Sequence, residues 1–131
     1  MKIMAALDLS DYADFVLKKA IKTALQQNAK LDILVVAEKK RLPKAEQLVR
    51  SYRQRALDKG VKTKMRVRTG LPADEIIKYQ KSEGLDLIVL GRRSRKIKSG
   101  NPMGAVAQKV AAYATSTVMI VRCMEDRDFP G

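Results

Sequence analysis

The sequence predicts an α/β fold: one doubly wound domain with a five-stranded parallel sheet, in the order 3-2-1-4-5, and two helices on each face. Apolar runs of strand length alternate with segments whose apolar residues recur at helical spacing. Each helical segment is long enough to cross between parallel strands. The length of 131 residues suits one domain, so we expect residues 1–131 to form a single unit with a flexible tail at 124–131.

The first part of the chain predicts a strand, a helix and a second strand. Residues 2–8 are mostly apolar and end in an acid, and residues 9–11 (LSD) supply the polar side chains that start helices. From Ala13 the apolar residues recur as on a helix with one buried face. After a break at residues 28–30, the apolar, largely branched run at 31–37 predicts the second strand.

The middle of the chain predicts a basic helix and an alternating strand. Pro43 suits a first helical turn, and helical spacing continues until Gly60. In residues 61–69, apolar or threonine side chains alternate with lysine and arginine, which is the period of a strand with one wet face. Because basic side chains on an edge strand oppose unwanted pairing, we predict this strand at an edge of the sheet.

A third helix and a buried strand follow. Residues 70–72 (GLP) predict a turn, and Asp74 and Glu75 favour the first turn of a helix that ends at Gly84. Residues 85–90 (LDLIVL) form a nearly continuous apolar run. Such a run is typical of a parallel strand that is buried on both faces.

A basic loop separates this fourth strand from the last helix. The strand stops at Gly91, and a helical pattern opens near Pro102 with Asn101 as its predicted N-cap. The loop contains five basic residues: Arg92, Arg93, Arg95, Lys96 and Lys98. Because the first N–H groups of a helix are unpaired and attract anions, the segment predicts a phosphate site. Thr117–Val121 predicts the fifth strand.

The predicted topology brings two strand ends together. In a doubly wound sheet the ligand crevice lies at the carboxyl ends of the central strands, where the winding reverses. Asp8 and Gly91 end the two central strands. We therefore expect a ligand contact at Asp8, although the same carboxylate also suits a helix-capping role, which Ser10 could fill as well.

The composition excludes several chemistries. The chain has no histidine and a single cysteine, Cys123, so Ser-His-Asp and Cys-His catalysis and the ordinary zinc sites are excluded. We predict no catalytic residue and no metal held by protein side chains alone. No apolar run approaches the roughly 20 residues that span a bilayer, and the start of the chain lacks a signal-peptide pattern, so we expect a cytoplasmic protein without a membrane span.

The formal net charge of +13 makes polyanions candidate partners. The cations are spread along several segments, however, which is also typical of a solvated basic surface. A polyanion-binding role would use the basic loop together with Lys59, Lys62, Lys64, Arg66 and Arg68. Few aromatic residues and no reading helix are present, so we rank nucleic acid third among the candidate partners.

Five segments resemble, in the same order, the landmarks of the universal stress protein family. They are LDLS at residues 7–10, TGLP at 69–72, DLIVLG at 86–91, GAVA at 104–107 and TVMIV at Thr117–Val121. The nucleotide-binding branch of that family has the pattern G-x2-G-x9-G-[S/T]. The corresponding residues are Gly91, Ser94, Gly104 and Ala105, with the spacing intact. Ser94 replaces a glycine of the pattern, and Ala105 replaces a residue with a hydroxyl group.

The resemblance implies a regulatory module that binds ATP or another adenine nucleotide. From the residues themselves, any Mg²⁺ would be held by carboxylates and the phosphates of the ligand, and we predict at most weak ATP hydrolysis because no residue stands out as a base for water. The resemblance places adenine against Ala6, Leu7, Val36 and Leu90, and Asp8 near the adenine or ribose. It places the phosphates at Gly91, Ser94, Gly104, Ala105 and Val106, where Arg93 offers a forked donor.

The resemblance also implies a homodimer, formed through the strand at Thr117–Val121. The alternative to nucleotide binding is a member of the family branch that lacks the motif. Such a protein would be a dimeric interaction protein that binds no nucleotide.

Overall fold

The computed structural model of the chain describes residues 1–92 and 103–122. Five parallel strands form one sheet in the order β3-β2-β1-β4-β5, which confirms the predicted fold class. The strands are β1 (Lys2–Leu7), β2 (Lys30–Val36), β3 (Thr63–Arg68), β4 (Leu87–Gly91) and β5 (Thr117–Val121). The helices are α1 (Ala13–Gln27), α2 (Leu42–Asp58), α3 (Pro72–Glu83) and α4 (Ala105–Tyr113), and a 3₁₀ turn at Lys39–Arg41 precedes α2. The basic loop beyond Arg92 and the predicted tail lie outside the described residues.

Two helices cover each face of the sheet, as predicted. Helices α1 and α2 bury residues such as Leu17 and Val49 against one face, and α3 and α4 bury residues such as Ile76 and Val110 against the other. The central strands β1 and β4 are therefore buried on both faces, which explains their continuous apolar sequences. Each fully buried aliphatic side chain in these layers contributes roughly 1.5–3 kcal/mol through removal of its surface from water.

Strand β3 lies at one edge of the sheet, next to β2, as its alternating sequence predicts. Met65 and Val67 pack against the cluster of α1 and α2. The side chains between them face the other side of the sheet because successive residues of a strand alternate. Lys64 and Arg66 are exposed there, and Arg68 is half-buried.

A buried carboxylate on β2 is bound by a tyrosine on α3. Asp32 is only 6% exposed, and the hydroxyl of Tyr79 donates a hydrogen bond to its Oδ2 at 2.9 Å. Burial, together with the hydrogen bond and the charge of Asp32, raises the pKa of Tyr79 to about 12. The phenol therefore keeps its proton at neutral pH and remains a donor to the carboxylate.

Helix α4 begins later than the sequence predicted. Asn101 and Pro102, the predicted N-cap and first helical residue, lie outside the described residues, but neither Met103 nor Gly104 is helical. Gly104 is the N-cap, with φ −69° and ψ 158°. Its N–H donates to the carbonyl oxygen of Arg92 at 2.8 Å. This long-range bond holds the chain extended beside the end of β4, and the helix begins only at Ala105.

Among the described residues, no helix combines the length and the apolar character that crossing a membrane requires.

Candidate functional site

A cavity of about 280 Å³ opens at the carboxyl ends of β1 and β4. This volume lies near the lower end of the range of ligand pockets. The strand ends contribute Ala6, Leu7, Asp8, Leu34, Val36, Leu90 and Gly91 to its lining, and the helix starts contribute Tyr12, Ala13, Val16, Pro72, Ile76, Gly104, Ala105, Val106 and Ala107. The cavity lies where the winding of the sheet reverses, which is the position expected of a ligand site in this class of fold.

Every predicted site residue within the described part of the chain lines this cavity: Ala6, Leu7, Asp8, Val36, Leu90, Gly91, Gly104, Ala105 and Val106. Arg93 and Ser94, the other two predicted residues, lie outside the described residues. Strand register explains the grouping, because Ala6 of β1 pairs with Leu34 of β2 on one side and with Leu90 of β4 on the other. Residues far apart in sequence therefore meet at one edge of the sheet.

The part of the cavity next to the sheet is apolar. Ala6 has a small side chain between the larger Leu34 and Leu90, and all three are buried. Val36 is half-buried at the end of β2, and Ile76 of α3 adds a further apolar wall. Such a lining favours an uncharged group, because burial of a charge here without a partner would be costly.

Asp8 is held in a turn at the start of the β1–α1 connection. Its Oδ1 accepts hydrogen bonds from the Ser10 N–H at 2.9 Å and from the Ser10 hydroxyl at 2.5 Å. The Ser10 oxygen in turn accepts a bond from the N–H of Tyr12 at 3.2 Å. Neither Asp8 nor Ser10 caps α1, because the N-cap is Tyr12 and it makes no side-chain cap hydrogen bond. The Asp8–Ser10 bonds instead order the connection before the helix, and the Asp8 carboxylate lines the cavity.

The start of α4 presents backbone N–H groups to the cavity. The first three helical residues are Ala105, Val106 and Ala107, and all of them line it. The first residues of an α-helix have no intrahelical partner for their N–H groups, and the N-cap Gly104 has no side chain to supply one. Together with the helix dipole, these donors favour an anion at this end of the cavity.

The remaining lining residues were missed at the sequence level. They are Tyr12, Ala13, Val16, Leu34, Pro72, Ile76 and Ala107. Most of them lie at the starts of α1, α3 and α4. A usable signal was available, because a helix that follows a parallel strand begins at the edge where that strand ends. Side chains such as Ile76, which reaches the cavity from the second turn of α3, depend on packing that periodicity alone does not specify.

The fold and this cavity define an α/β protein with a ligand crevice at the switch point of a doubly wound sheet. The model of the universal stress protein family matches residues 1–122. The chain therefore belongs to the universal stress protein family, as the sequence resemblance predicted.

Individual relatives agree with this membership. The chain is 29% identical over 145 residues to the universal stress protein YxiE of Bacillus subtilis (strain 168), a match that covers 92% of this chain and 98% of that protein. Among solved structures, the universal stress protein UspA from Lactobacillus plantarum has a TM-score of 0.82 at 23% identity, with coverage of 93% and 97%. A universal stress protein in complex with cAMP has a TM-score of 0.79 at 22% identity, with coverage of 95% and 98%.

Proposed function

We propose that this protein is a regulatory module that binds ATP or another adenine nucleotide in the cavity at the carboxyl ends of β1 and β4. One observation supports this most strongly: an apolar slot and an anion-attracting helix start are parts of the same cavity. A nucleotide has the matching parts, a flat base and a charged phosphate, joined by a ribose. A family relative of the same fold is known in complex with cAMP.

The base fits the apolar part of the cavity. In this proposal adenine lies among Ala6, Leu7, Val36 and Leu90, and the small side chain of Ala6 leaves room for the ring between its larger neighbours. Asp8 is available at the rim for a hydroxyl of the ribose or the amino group of the base, since a carboxylate accepts such donors.

The phosphates fit the start of α4. The N–H groups of Ala105 and Val106 would donate to phosphate oxygens, with Gly91 and Gly104 allowing close approach of the backbone. Mg²⁺ would be bound mainly through the phosphates, which is the usual arrangement for this ion. No group of three or more acidic or cysteine side chains within residues 1–92 and 103–122 is arranged to hold a metal by itself.

A regulatory role follows from the elements that a bound nucleotide would contact. The cavity is lined by the starts of α1, α3 and α4 as well as by the sheet, so occupancy would stabilise their relative positions and alter the surface that partners meet. The proposal treats residues 1–131 as one functional domain and requires a cytoplasmic location, where adenine nucleotides are abundant.

A second candidate function is that of a dimeric interaction protein without nucleotide. The favouring observation is β5, an edge strand in which Val118, Met119, Ile120 and Val121 are all only half-buried. Two such strands can pair across a twofold axis, which would bury these side chains. The same pairing is compatible with nucleotide binding. The two candidate functions therefore differ in whether the cavity binds a nucleotide, and not in whether the protein forms a dimer.

The substitution Ala105→Glu tests the proposed binding mode. Ala105 is exposed at the first position of α4 and lines the cavity, so a carboxylate there leaves the core intact but repels phosphate. We expect at least about a tenfold loss of ATP affinity in isothermal titration calorimetry, or about 1.4 kcal/mol. Ala112→Glu is the matched control, because Ala112 is exposed on the same helix but does not line the cavity.

The control should bind ATP within about twofold of the wild type, a difference of less than about 0.5 kcal/mol. Equal losses in the two variants would show that only the overall charge matters. An absence of binding by the wild-type protein at millimolar ATP, with and without Mg²⁺, would favour the second candidate.

A further inference from the structure

A row of cations lies on an uncovered part of the sheet, away from the described lining of the nucleotide cavity. We use the term basic face for Lys64, Arg66 and Arg68 of β3 together with Lys78 of α3. Lys64, Arg66 and Lys78 are exposed, and Arg68 is half-buried. None of the four lines the cavity. Binding of a partner to this face would therefore not depend on nucleotide binding in the cavity.

Strand register shows that the three β3 cations point to one side. Lys64 is paired with Asp32, Arg66 with Leu34 and Arg68 with Val36. Asp32 binds Tyr79 of α3, and Leu34 belongs to the core beneath α3 and α4. The three cations therefore lie on that face of the sheet, about 6.6 Å apart along the strand, since each residue of a strand rises about 3.3 Å.

One end of this row is held in position by α3. The guanidinium of Arg68 lies 5.0 Å from the centre of the Tyr79 ring and 3.8 Å from Glu75 Oε1. The hydroxyl of Tyr79 is fixed on the other side by buried Asp32. Glu75 thus links Arg68 to α3, and its Oε2 also lies 3.3 Å from Lys78 of the same helix. Less side-chain entropy is lost on binding when a cation is already positioned.

The charge of the basic face is not balanced within the described part of the chain. Glu75 pairs with Arg68 and Lys78, whereas Lys64 and Arg66 form no ion pair with any carboxylate among residues 1–92 and 103–122. Four cations and two carboxylates, Glu75 and the buried Asp32, leave an excess of two positive charges on this face. Protection of an edge strand needs only charged side chains, and it does not explain why every outward position of β3 is basic.

The surroundings favour a phosphate backbone as the partner. Among the described residues, the large exposed apolar side chains are at Met1, Phe15, Leu25, Leu71 and Tyr113. Only Leu71, the N-cap of α3, lies next to an end of the basic face, and a single such side chain is less than an apolar patch. Protein interfaces and membrane surfaces normally use apolar anchors. Single-stranded nucleic acids use exposed aromatic rings for stacking, whereas Tyr79 is buried. Binding to a nucleic-acid duplex needs neither apolar anchors nor exposed aromatic rings, because the phosphates of a duplex are on its outside.

We propose that the basic face binds the phosphate backbone of a nucleic-acid duplex without reading its sequence. Contacts to three or four phosphates would give a weak, salt-sensitive complex, with affinity falling about 40-fold to 150-fold between 50 and 200 mM salt. Binding of this kind places the protein on the duplex but contributes no base specificity.

The test compares two double variants of the full chain by fluorescence anisotropy with a labelled 20-base-pair duplex of mixed sequence. Lys64→Gln with Arg66→Gln removes two cations from the basic face, and Lys19→Gln with Lys22→Gln removes two exposed cations from α1 on the opposite face of the sheet. Each pair lowers the formal net charge from +13 by two, to +11. Glutamine is chosen so that no new carboxylate is placed near Asp32.

We expect the basic-face variant to bind at least about tenfold more weakly at 50 mM salt, with a salt slope reduced by about 1.8 because two contacts are lost. The α1 variant should bind within about threefold of the wild type. Equal losses in the two variants, or no binding by the wild type at 50 mM salt, would overturn the proposal. Tighter binding to vesicles of phosphatidylserine and phosphatidylcholine than to the duplex, lost in the same variant, would also overturn it and assign the face to membranes.

Discussion

The substitution Tyr79→Phe is expected to lower the free energy of unfolding by about 2–3 kcal/mol. Tyr79 is 2% exposed, and its hydroxyl donates to a carboxylate, Asp32, that is itself only 6% exposed. Phenylalanine keeps the ring, its packing and its contact with Arg68 but removes the donor. The cost of leaving a buried acceptor without its partner is about 1–3 kcal/mol and is larger for charged groups. Urea unfolding followed by circular dichroism measures the change.

Tyr113→Phe is the matched control for this experiment. Tyr113 is 65% exposed at the end of α4, so the loss of its hydroxyl should change the unfolding free energy by less than about 0.5 kcal/mol. If the two variants lost the same stability, the Asp32–Tyr79 hydrogen bond would not be a significant contributor to the fold.

Burial of the Tyr79 hydroxyl, together with its hydrogen bond to Asp32, gives the wild-type protein a characteristic pH dependence. The pKa of Tyr79 is raised from its ordinary value of 10 to about 12. Between these values an unfolded chain loses the phenolic proton while the folded protein keeps it, so the stabilisation is fully present below pH 10 and is lost as the pH rises towards 12. Tyr79→Phe lacks this group, and the difference in stability between the two proteins should shrink across this window. A constant difference would contradict the assignment.

The substitution Ala105→Ser is expected to tighten ATP binding about tenfold to a hundredfold. It restores the hydroxyl that the nucleotide-binding pattern of the family has at this position, next to the free N–H groups of α4. A hydrogen bond to a charged group contributes roughly 1.5–3 kcal/mol, which corresponds to this range of affinity. Because Ala105 is exposed, the added oxygen displaces no core atom. Isothermal titration calorimetry against ATP and Mg²⁺ gives both affinities directly.

Ala112→Ser provides the control, since the same change is made at an exposed position of α4 outside the cavity. It should leave the ATP affinity unchanged. Unchanged or weaker binding by Ala105→Ser would show that the phosphates do not meet the first residue of α4. The proposed orientation of the nucleotide would then be wrong, even if a nucleotide binds elsewhere in the cavity.

Local patterns in the sequence were sufficient for the order of the elements. The alternation in β3 predicts that strand at an edge, and the positions of Asp8 and Gly91 at two central strand ends predict the place of the cavity. These features depend on periodicity and on the fixed winding of parallel sheets. A single sequence shows the periodicity directly, and the winding rule holds for parallel sheets in general.

Contacts between residues far apart in the chain could not be predicted from local sequence patterns. Asp32 lies within an apolar strand, and its partner Tyr79 is 47 residues away, so only the packing of α3 on β2 reveals the pair. The start of α4 was misplaced for a related reason. Local preference favoured Asn101 and Pro102, but the bond from Gly104 N–H to the carbonyl oxygen of Arg92 outweighs that preference. Tertiary bonds of this kind override propensities that differ by less than about 1 kcal/mol per residue.

Native mass spectrometry of the purified protein, titrated with ATP in the presence and absence of Mg²⁺, tests the central claim most directly. We expect one nucleotide per chain, and in a parallel urea unfolding experiment a rise in unfolding free energy of about 2.7 kcal/mol when the free ligand is at 100 times its dissociation constant. The subunit count from the same spectra reports whether the chain forms a dimer. Spectra that show no nucleotide adduct at millimolar ATP, in either condition, would contradict the assignment of the cavity as an adenine nucleotide site.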